Sequence, residues 1–463
     1  MTSSDNKLAR MGIALSEWFE TWFPDAFAFA GAAVAIVFGA SVLTGNGVLQ
    51  TADWFGMGFW ELTKFTMQMV MIIVTGYALA TSPPIDRLIR RLASVPATGA
   101  GAAAFVATFS MLSSLFSWSF SLIFSGLLAR EVCRQVKGAD YRAVGAAAYM
   151  GLGSVWALGL SSSPALIMAT QASMPESLFK VSGVIPLSRT LGLWQSFLMA
   201  AVLLVVSAWI AWASAPAEAE ARGLDVELPK PELEAARRPG ALKDSPDAPR
   251  PGEWLEHSPL LSVFLAALGA AYLSGVVGRK GAGELLELNN YIFLMLILGL
   301  ALHGRPKSFV KAVAGSVGAA AGILIQYPLY AGILKVLTES GLASKMAHLF
   351  VSISGHGTFP ILVAIYSALL GVFVPSAGGK WLIEAPYLLA AAKDLHVHLG
   401  WVVQIYNAAE ALPNLIHPFW MLPLLGILGL KPRDIVGYSA LQFVVHVPIV
   451  LFLVWALNFT LIG

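Results

Sequence analysis

The eight residues Val374-Pro375-Ser376-Ala377-Gly378-Gly379-Lys380-Trp381 interrupt a long apolar run. They are small, hydroxyl-bearing and helix-breaking, and they carry one cation. The sequence is mostly apolar from Phe359 to Phe373 before them and, apart from Glu384, up to Ala392 after them. Inside a membrane, non-helical backbone is tolerated only where protein or a water-filled cavity supplies hydrogen-bond partners. The interruption therefore predicts a place where the chain binds a solute.

The composition indicates a polytopic membrane protein. Of 463 residues, 57% are hydrophobic and only 12% are charged, and the mean hydropathy is +0.72. A soluble domain has about a quarter of its residues charged. The net charge of +2 gives no reason to expect a nucleic-acid partner. The single cysteine, Cys133, cannot form an internal disulfide.

A helical hairpin is predicted at about residues 100–129. These thirty mostly apolar residues would form a helix of about 45 Å, whereas the hydrocarbon core is about 30 Å thick. Basic clusters on both sides, at Arg87 to Arg91 and at Arg130 to Arg142, also favour cytoplasmic placement of both ends. We therefore expect a re-entrant hairpin with its tip near Ser117. The alternative is one long tilted helix whose serines bond to their own backbone.

A broken helix is predicted at about residues 143–170. Its apolar sequence is interrupted by Gly159-Leu160-Ser161-Ser162-Ser163-Pro164. Pro164 lacks a backbone donor and disfavours helical geometry at Ser163. We expect two half-helices around an unwound middle.

Residues 215–258 predict a linker between two membrane halves. The segment contains ten acidic residues, six basic residues and seven prolines, with few large apolar side chains. It cannot bury a core, so we expect a solvent-exposed cytoplasmic connector. The chain then divides into a first membrane repeat at 1–214 and a second at 259–463.

The second half is expected to repeat the plan of the first. A hairpin is predicted at about 308–337, around Gln326 to Gly332, and broken helices are predicted at about 361–390 and 401–428. Duplicated, often inverted, halves that hold a solute between their breaks are a recurrent transporter plan. Counting crossings places the start of the second hairpin on the cytoplasmic side, which does not fit inversion. A missed span, or a full crossing by Ser308 to Ile325, would remove the conflict.

A set of motifs carries a resemblance to a known family. The motifs are Phe65-Thr66-Met67-Gln68-Met69, Ile73-Val74-Thr75-Gly76-Tyr77-Ala78-Leu79-Ala80, Gly159 to Pro164, Val374 to Trp381, and Pro418-Phe419-Trp420. Together they resemble the bacterial short-chain fatty acid transporter family, from about Trp22 to the C-terminus. The resemblance implies uptake of acetoacetate, butyrate or similar small carboxylates across the bacterial inner membrane. It also implies kinship with the ion-transporter superfamily, whose members are similar homodimers with two hairpins, two broken helices and elevator-type movement.

Two positions depart from the family pattern. The first hairpin tip is usually N-W-G-F, whereas this chain has Ser117-Trp118-Ser119-Phe120. In the family, the residue before the tryptophan of the Val374 to Trp381 motif is often His. In this chain it is Lys380. Loss of the asparagine removes a carbonyl ligand from any sodium site that the superfamily implies.

Candidate substrate-binding residues follow from the chemistry of a monocarboxylate, which needs donors for two oxygens and an apolar wall for its tail. The predicted donors are unwound serines and the first N–H groups of a half-helix. They are Ser161, Ser162, Ser163, Ser376, Gly378 and Gly379. The predicted wall is Trp118, Tyr327 and Tyr330. For each serine, a local bond to backbone is the alternative.

Lys380 and Glu410 are the charged residues predicted at membrane depth, at a cost of roughly 3 kcal/mol each. One interpretation is a structural ion pair between the broken helices. The other makes Lys380 the counter-ion of the substrate and Glu410 the group that gains a proton when its partner is drawn away. The wider set of ion-coupling candidates is Glu410, Asn414, His417, Asn407, Ser117 and Ser119.

Taken together, the sequence predicts an all-α secondary carrier that imports small monocarboxylates with H⁺ or Na⁺. It would need no cofactor other than that coupling ion, and its partners would be its substrate, lipid and a second copy of the chain. No H-E-x-x-H or G-x-S-x-G motif stands in a context that favours an enzyme. A carrier of a different small organic anion is the alternative, followed by a channel or an intramembrane enzyme.

Overall fold

The computed structural model describes residues 7–61, 63–171, 174, 176–227, 253–286 and 288–461, and these residues form helices joined by turns, without a strand. The helices of the first half are α1 (Lys7–Trp22), α2 (Ala26–Leu43), α3 (Val48–Glu61), α4 (Thr63–Ala80), α5 (Pro83–Ala93), α6 (Gly99–Phe116), α7 (Trp118–Gln135), α8 (Tyr141–Met150), α9 (Ser163–Ala169), α10 (Glu176–Ser182) and α11 (Trp194–Ser214). Single-turn helices follow at Leu224–Glu227 and Trp254–His257.

The helices of the second half are α12 (Leu260–Lys280), α13 (Leu288–His303), α14 (Pro306–Glu339), α15 (Leu342–Ser352), α16 (Phe359–Phe373), α17 (Ala377–Asp394), α18 (Leu399–Asn414), α19 (Leu422–Leu428) and α20 (Pro432–Asn458). Within the described ranges, seven helices are long and apolar enough to cross a membrane, and two bent pairs raise the number to nine. The protein is therefore a multi-pass, all-helical membrane protein. Residues 228–252 of the predicted linker lie outside the described residues.

Helices α6 and α7 form a helical hairpin, hairpin 1, with its tip at Ser117. The Ser121 hydroxyl donates to the Ser110 carbonyl at 2.7 Å. Eleven residues of straight helix would separate these groups by about 16 Å, so the chain must fold back between them. The turn lies where the sequence predicts it. The re-entrant position of the hairpin in a bilayer stays a prediction.

The stretch from Val374 to Ser376 is the tip of a second hairpin, hairpin 2, formed by α16 and α17. Ser367 of α16 donates to the Glu384 carboxylate of α17 at 2.7 Å, although straight helix would hold them about 25 Å apart. The prediction of a broken transmembrane helix at 361–390 is therefore wrong. Proline and glycine do interrupt the helix here, but long-range contacts decide that the second arm turns back.

The hairpin predicted at 308–337 is also wrong, because α14 is one continuous helix of 34 residues that includes Pro328. Helices α2, α3 and α4 pack along α14, and this packing keeps α14 helical through Pro328. The α3–α14 contact is close: a Cβ on Gly58 would lie 2.9 Å from the Ala331 carbonyl oxygen. Small residues allow such close approach between membrane helices, and packing of this kind tolerates a proline within a span.

Each hairpin is followed by an interrupted helix and then by a long helix. In the first half, α8 continues through a π-helical segment at Gly151–Val155 and a 3₁₀ turn at Trp156–Leu158 before α9 begins. In the second half, α18 ends at Asn414 and the chain bends by 76° into Phe419–Leu428. Breaks therefore occur within both 143–170 and 401–428. The long helices that follow are α11 and α20.

Candidate functional site

The tips of both hairpins and the break between α8 and α9 meet at one cavity of about 710 Å³. Its polar lining consists of Ser117, Ser119, Ser161, Ser163, Thr170, Glu284 and Ser376, together with backbone at Gly283, Ala377 and Gly378. Its apolar lining consists of Phe116, Trp118, Leu152, Trp156, Leu160, Leu166 and Trp420. Among the described residues that line this cavity, none is a lysine or an arginine.

The break between α8 and α9 is fixed to hairpin 1 by Ser161. Its hydroxyl donates to the Ser114 carbonyl at 2.6 Å and accepts from the Trp118 N–H at 2.9 Å. Glycine at position 159 permits this contact, because a Cβ there would lie 2.3 Å from the Leu115 carbonyl oxygen. The tip of hairpin 1 and the break therefore form one rigid wall of the cavity.

Ser162 and Ser163 have different roles in this geometry. Ser162 is fully buried; it caps α9 by accepting from the Ala165 N–H at 3.1 Å and donates to the Asn407 side chain at 3.1 Å. Ser163 lines the cavity. The structure thus brings Ser161, Ser163, Ser376 and Gly378 together at the cavity and places Ser162 behind them. Gly379 lies beyond the lining, with its N–H donating to the Ser376 hydroxyl at 3.3 Å.

Two long helices point their N-termini at the cavity. Helices α7 and α17 each contain 18 residues and begin at the hairpin tips, where Ser117 and Ser376 are the N-caps. The first N–H groups of a helix have no acceptor within the helix, and the aligned peptide dipoles place about half a positive charge at that end. The two helix ends therefore place partial positive charge at a cavity whose described lining contains no lysine or arginine.

The apolar wall consists mainly of tryptophan. Trp118 of hairpin 1 meets Trp420 edge-on with ring centroids 5.3 Å apart, and Trp156 also lines the cavity. The prediction that Tyr327 and Tyr330 form this wall is wrong. Tyr327 stacks on Phe419 at 3.9 Å and Tyr330 packs beside His417 at 5.1 Å, so both lie behind the wall on α14.

Lys380 lies outside the cavity lining, in a buried charged cluster. Its ammonium group forms an ion pair with Glu410, donates to the Ser367 carbonyl, and lies 3.9 Å from Glu384. All three charged side chains are at most 1% exposed. The Tyr406 ring covers the ammonium group at 4.9 Å. This arrangement is the structural ion pair, and it joins hairpin 2 to α18.

The other ion-coupling candidates do not converge on one centre. Asn407 bonds with Ser162, whereas the Asn414 amide donates to the Leu152 carbonyl at 3.4 Å. His417 accepts from the Phe419 N–H at 3.1 Å and packs against Phe29. Ser117 and Ser119 share a hydrogen bond of 3.2 Å at the cavity.

Comparison with known proteins identifies the family to which this chain belongs. The family model described as short chain fatty acid transporter matches residues 7–458. The chain belongs to the short-chain fatty acid transporter family. It is 34% identical to a protein of Escherichia coli K12 over 94% of this chain and 97% of that one, and 32% identical to a protein of Haemophilus influenzae Rd over 96% and 98%. Both relatives are provisionally named short-chain fatty acid transporter.

Two solved structures are also similar to this short-chain fatty acid transporter family member. The Alcanivorax borkumensis YdaH transporter matches with a TM-score of 0.44 and 16% identity, over 94% of this chain and 98% of that one. Neisseria gonorrhoeae MtrF, described as illuminating a class of antimetabolite efflux pumps, matches with a TM-score of 0.43 and 14% identity, over 95% and 96%.

Membership of this family makes the chain a transporter and not an enzyme. The transporter's cavity and charged cluster include residues that are absent from the sequence-based candidates, among them Trp156, Thr170, Glu284 and Glu384. Trp156 and Thr170 flank the Ser161–Ser163 break in the sequence. Their closeness to the break is the feature from which they could be predicted. Glu384 follows Lys380 by four residues, which places both on one face of a helix. Glu284 gives no local signal, because a separate turn brings it to the cavity.

Proposed function

We propose that this protein imports short-chain monocarboxylates as a secondary carrier, with the substrate bound in the cavity at the two hairpin tips. The observation that carries the proposal is the convergence of the N-termini of α7 and α17 on a cavity lined by serines and tryptophans. Helix N-termini and hydroxyl groups bind carboxylate oxygens, and aromatic surface accommodates a short tail. The absence of a basic side chain from the described lining favours weak, reversible binding.

The cavity also supports discrimination between substrates by their charge. Ser161, Ser163 and Ser376 all line the cavity near the hairpin tips, so a carboxylate that bonds to them would lie at the tips. Trp118, Trp156 and Trp420 would then surround the tail. A carboxylate with a second charged group would place that charge against tryptophan, without a counter-ion. We therefore expect monocarboxylates to be preferred over dicarboxylates.

Movement is proposed to follow an elevator mechanism with two inverted repeats. The order of hairpin, interrupted helix and long helix in both halves supports this plan. Hairpin 1 with α8 to α11 and hairpin 2 with α18 to α20 would form the two repeated units. A homodimer in the bacterial inner membrane is part of the proposal, and the many exposed apolar side chains of α12 provide a surface for lipid or for a second copy.

Coupling to H⁺ or Na⁺ is proposed to involve Glu410, which is buried and bonded to Lys380. Glu410→Gln is expected to abolish concentration of substrate against a gradient while exchange of labelled for unlabelled substrate continues. Normal concentrative uptake by this variant would remove Glu410 from the coupling mechanism. Purified protein in proteoliposomes permits both measurements.

The principal test is uptake of labelled acetoacetate into proteoliposomes under imposed H⁺ or Na⁺ gradients. Protein-free liposomes measure passive entry of the undissociated acid, which must be subtracted. Accumulation above that background is expected under one of the gradients. Absence of accumulation under either gradient, together with absence of exchange, would reject the proposed function.

The position of the substrate is tested by Ser376→Ala. Removal of the cap and of one hydroxyl is expected to weaken acetoacetate binding about fivefold, because an N-cap contributes about 1 kcal/mol. Ser352→Ala is the matched control, since that exposed serine bonds only to the Leu349 carbonyl in its own helix. Equal affinities in the two variants would place the substrate elsewhere.

A further inference from the structure

The buried cluster of Lys380, Glu384 and Glu410 contains one more carboxylate than it has cations. Lys380 and Glu384 are fully buried and Glu410 is 1% exposed. Lys380 contacts Glu410 directly and lies 3.9 Å from Glu384. The remaining titratable groups that face Glu384 from the helices around it are tyrosines, Tyr366 on α16 and Tyr406 on α18.

The cluster would have a net charge of −1 if every group were ionised. An uncompensated charge in a protein interior at membrane depth costs several kcal/mol. One additional proton makes the cluster neutral. The described residues around it supply no second lysine or arginine, so the proton must come from outside the cluster.

Glu384 is the member that is arranged to hold this proton. Glu410 is in direct contact with Lys380, so protonating it would break the closest ion pair. One oxygen of Glu384 accepts from Ser367 at 2.7 Å, while its other oxygen, Oε1, is buried, makes no hydrogen bond and lies 3.9 Å from the Lys380 ammonium group. A buried carboxylate oxygen without a donor is costly as an anion. Burying the same oxygen without a donor costs much less free energy when the carboxyl group is protonated and neutral.

We infer that Glu384 is a proton-binding site and that this proton is the ion co-transported with the monocarboxylate. This inference rests on the proposed function and makes it more specific, because it selects H⁺ over Na⁺ and assigns the group. The transported unit would be one carboxylate anion and one proton, which is electrically neutral.

The cluster is linked to the cavity through the N-terminus of α17. Ala377 and Gly378 line the cavity, and Lys380 follows them within the same helical turn. Tyr406, whose ring covers the Lys380 ammonium group, donates its hydroxyl to the Ala377 carbonyl at 2.7 Å. In the state with Glu384 ionised, a carboxylate anion at this tip would add a second negative charge beside a cluster that already has one in excess. Substrate binding therefore favours protonation of Glu384, and protonation favours substrate binding.

The first experiment measures protons directly on the intact wild-type protein. Acetoacetate is added to purified protein in weakly buffered detergent solution that contains a pH indicator. In a series of measurements at rising pH, the number of protons taken up per bound substrate is expected to increase from near zero, where Glu384 is protonated before binding, to about one, where Glu384 is ionised before binding. Binding without proton uptake across the whole pH series would overturn the inference, and absence of binding would instead count against the proposed function.

The second experiment compares Glu384→Gln with wild type in proteoliposomes. A symporter of one proton per substrate accumulates acetoacetate up to about tenfold per unit of pH gradient. Glu384→Gln keeps the size and the Ser367 bond but cannot exchange a proton, so accumulation is expected to fall to the level of equilibration. Glu384→Asp is expected to restore a pH-driven component. Glu176→Gln, at a side chain that is 80% exposed, is the matched control with full accumulation.

The outcomes separate the two proposals. Exchange of labelled acetoacetate by wild type is required by the proposed function alone. Gradient-driven accumulation that persists in Glu384→Gln, with wild type active, would overturn the assignment of Glu384. Accumulation by wild type that requires Na⁺ and ignores the pH gradient would likewise overturn it.

Discussion

The two hairpins reach one cavity from different parts of the chain, but their interiors are chemically different. Hairpin 1 is held by hydroxyl groups: Ser110 donates to the Ala148 carbonyl at 2.6 Å, and Ser121 donates to the Ser110 carbonyl. Hairpin 2 is held by charges, because Lys380 and Glu384 lie in its interior and Glu410 of α18 completes the cluster. We therefore expect the charged interior of hairpin 2, and not the hydroxyl-bonded interior of hairpin 1, to change its charge during transport.

This difference suggests separate roles for the two hairpins, one in fitting the substrate and one in coupling its transport to an ion gradient. The hydroxyl groups of Ser110, Ser114 and Ser121 in hairpin 1 donate to backbone carbonyls, and they stay neutral at every physiological pH. The charges of hairpin 2 need a partner from a separate helix, so any change in the contact between Lys380 and Glu410 would change which groups are neutral. We expect hairpin 1 to determine the fit of the substrate and hairpin 2 to determine its dependence on the ion gradient.

The largest effect is expected from Lys380→Met, which leaves two buried carboxylates without a cation. Removal of one partner from a buried ion pair costs about 3 to 5 kcal/mol, so we expect a large loss of stability in thermal unfolding of the detergent-solubilised protein. The double variant Lys380→Met/Glu410→Gln should recover part of this loss, because a single carboxylate can be neutralised by one proton. A single variant as stable as wild type would mean that the cluster is not held by charge.

A smaller loss is expected from Ser110→Ala in hairpin 1. The Ser110 hydroxyl bonds to the Ala148 carbonyl and accepts from the Gly151 N–H at 2.9 Å, so its removal leaves two buried backbone groups unsatisfied. The expected cost is about 1 to 3 kcal/mol in the same unfolding measurement. Ser113→Ala is the matched control, since that hydroxyl bonds only to carbonyls of its own helix, at Phe109 and Ser110. Equal stability of the two variants would contradict this account of hairpin 1.

Ser117→Ala tests whether the tip of hairpin 1 contributes as much to substrate affinity as the tip of hairpin 2. Ser117 occupies the N-cap of α7 as Ser376 occupies the N-cap of α17. If both tips hold the carboxylate, loss of either cap should weaken acetoacetate binding by a similar factor of about five. Isothermal calorimetry on both variants measures this. A large effect at Ser376 with none at Ser117 would place the carboxylate at hairpin 2 alone.

The smallest effect is expected from Glu284→Gln. Glu284 lies at the cavity and also within 3.6 Å of Lys280, and its side chain is 32% exposed. A partly screened acid repels an anion only weakly, so the variant should bind acetoacetate no more than about threefold more tightly at low salt. The gain should disappear at high ionic strength, because screening removes the remaining repulsion. Weaker binding by the variant would assign Glu284 a direct contact with substrate.

The sequence predicts well those features that depend on local chemistry. Pro164 and its preceding serines place the first break, and the serines at Ser117 and Ser119 place the first tip, because proline and small polar residues change backbone geometry where they stand. The same local effect of proline leads to a wrong prediction at Pro328. Proline there predicts a turn, but packing of α2, α3 and α4 keeps α14 helical.

The direction of the chain after a break is not a local property. Val374 to Ser376 end a helix in either interpretation, and the bond between Ser367 and Glu384 shows that the arms fold back. Similarly, Lys380 is visible as a buried cation, but its choice of Glu410 over a substrate depends on a residue thirty positions away. Trp420 enters the cavity only because the chain bends by 76° after α18.

The continuous helix α14 also has a consequence for biosynthesis. It packs against α2, α3 and α4, so the faces of those helices lack their partner until residues 306–339 have been made. At about 5 to 20 residues per second, translation from residue 80 to residue 339 takes roughly 13 to 50 s. During that interval the N-terminal helices must stay in the membrane as separately inserted segments, shielded by lipid or by the insertion machinery. Assembly therefore requires an early helical group to close around a helix that is synthesised much later.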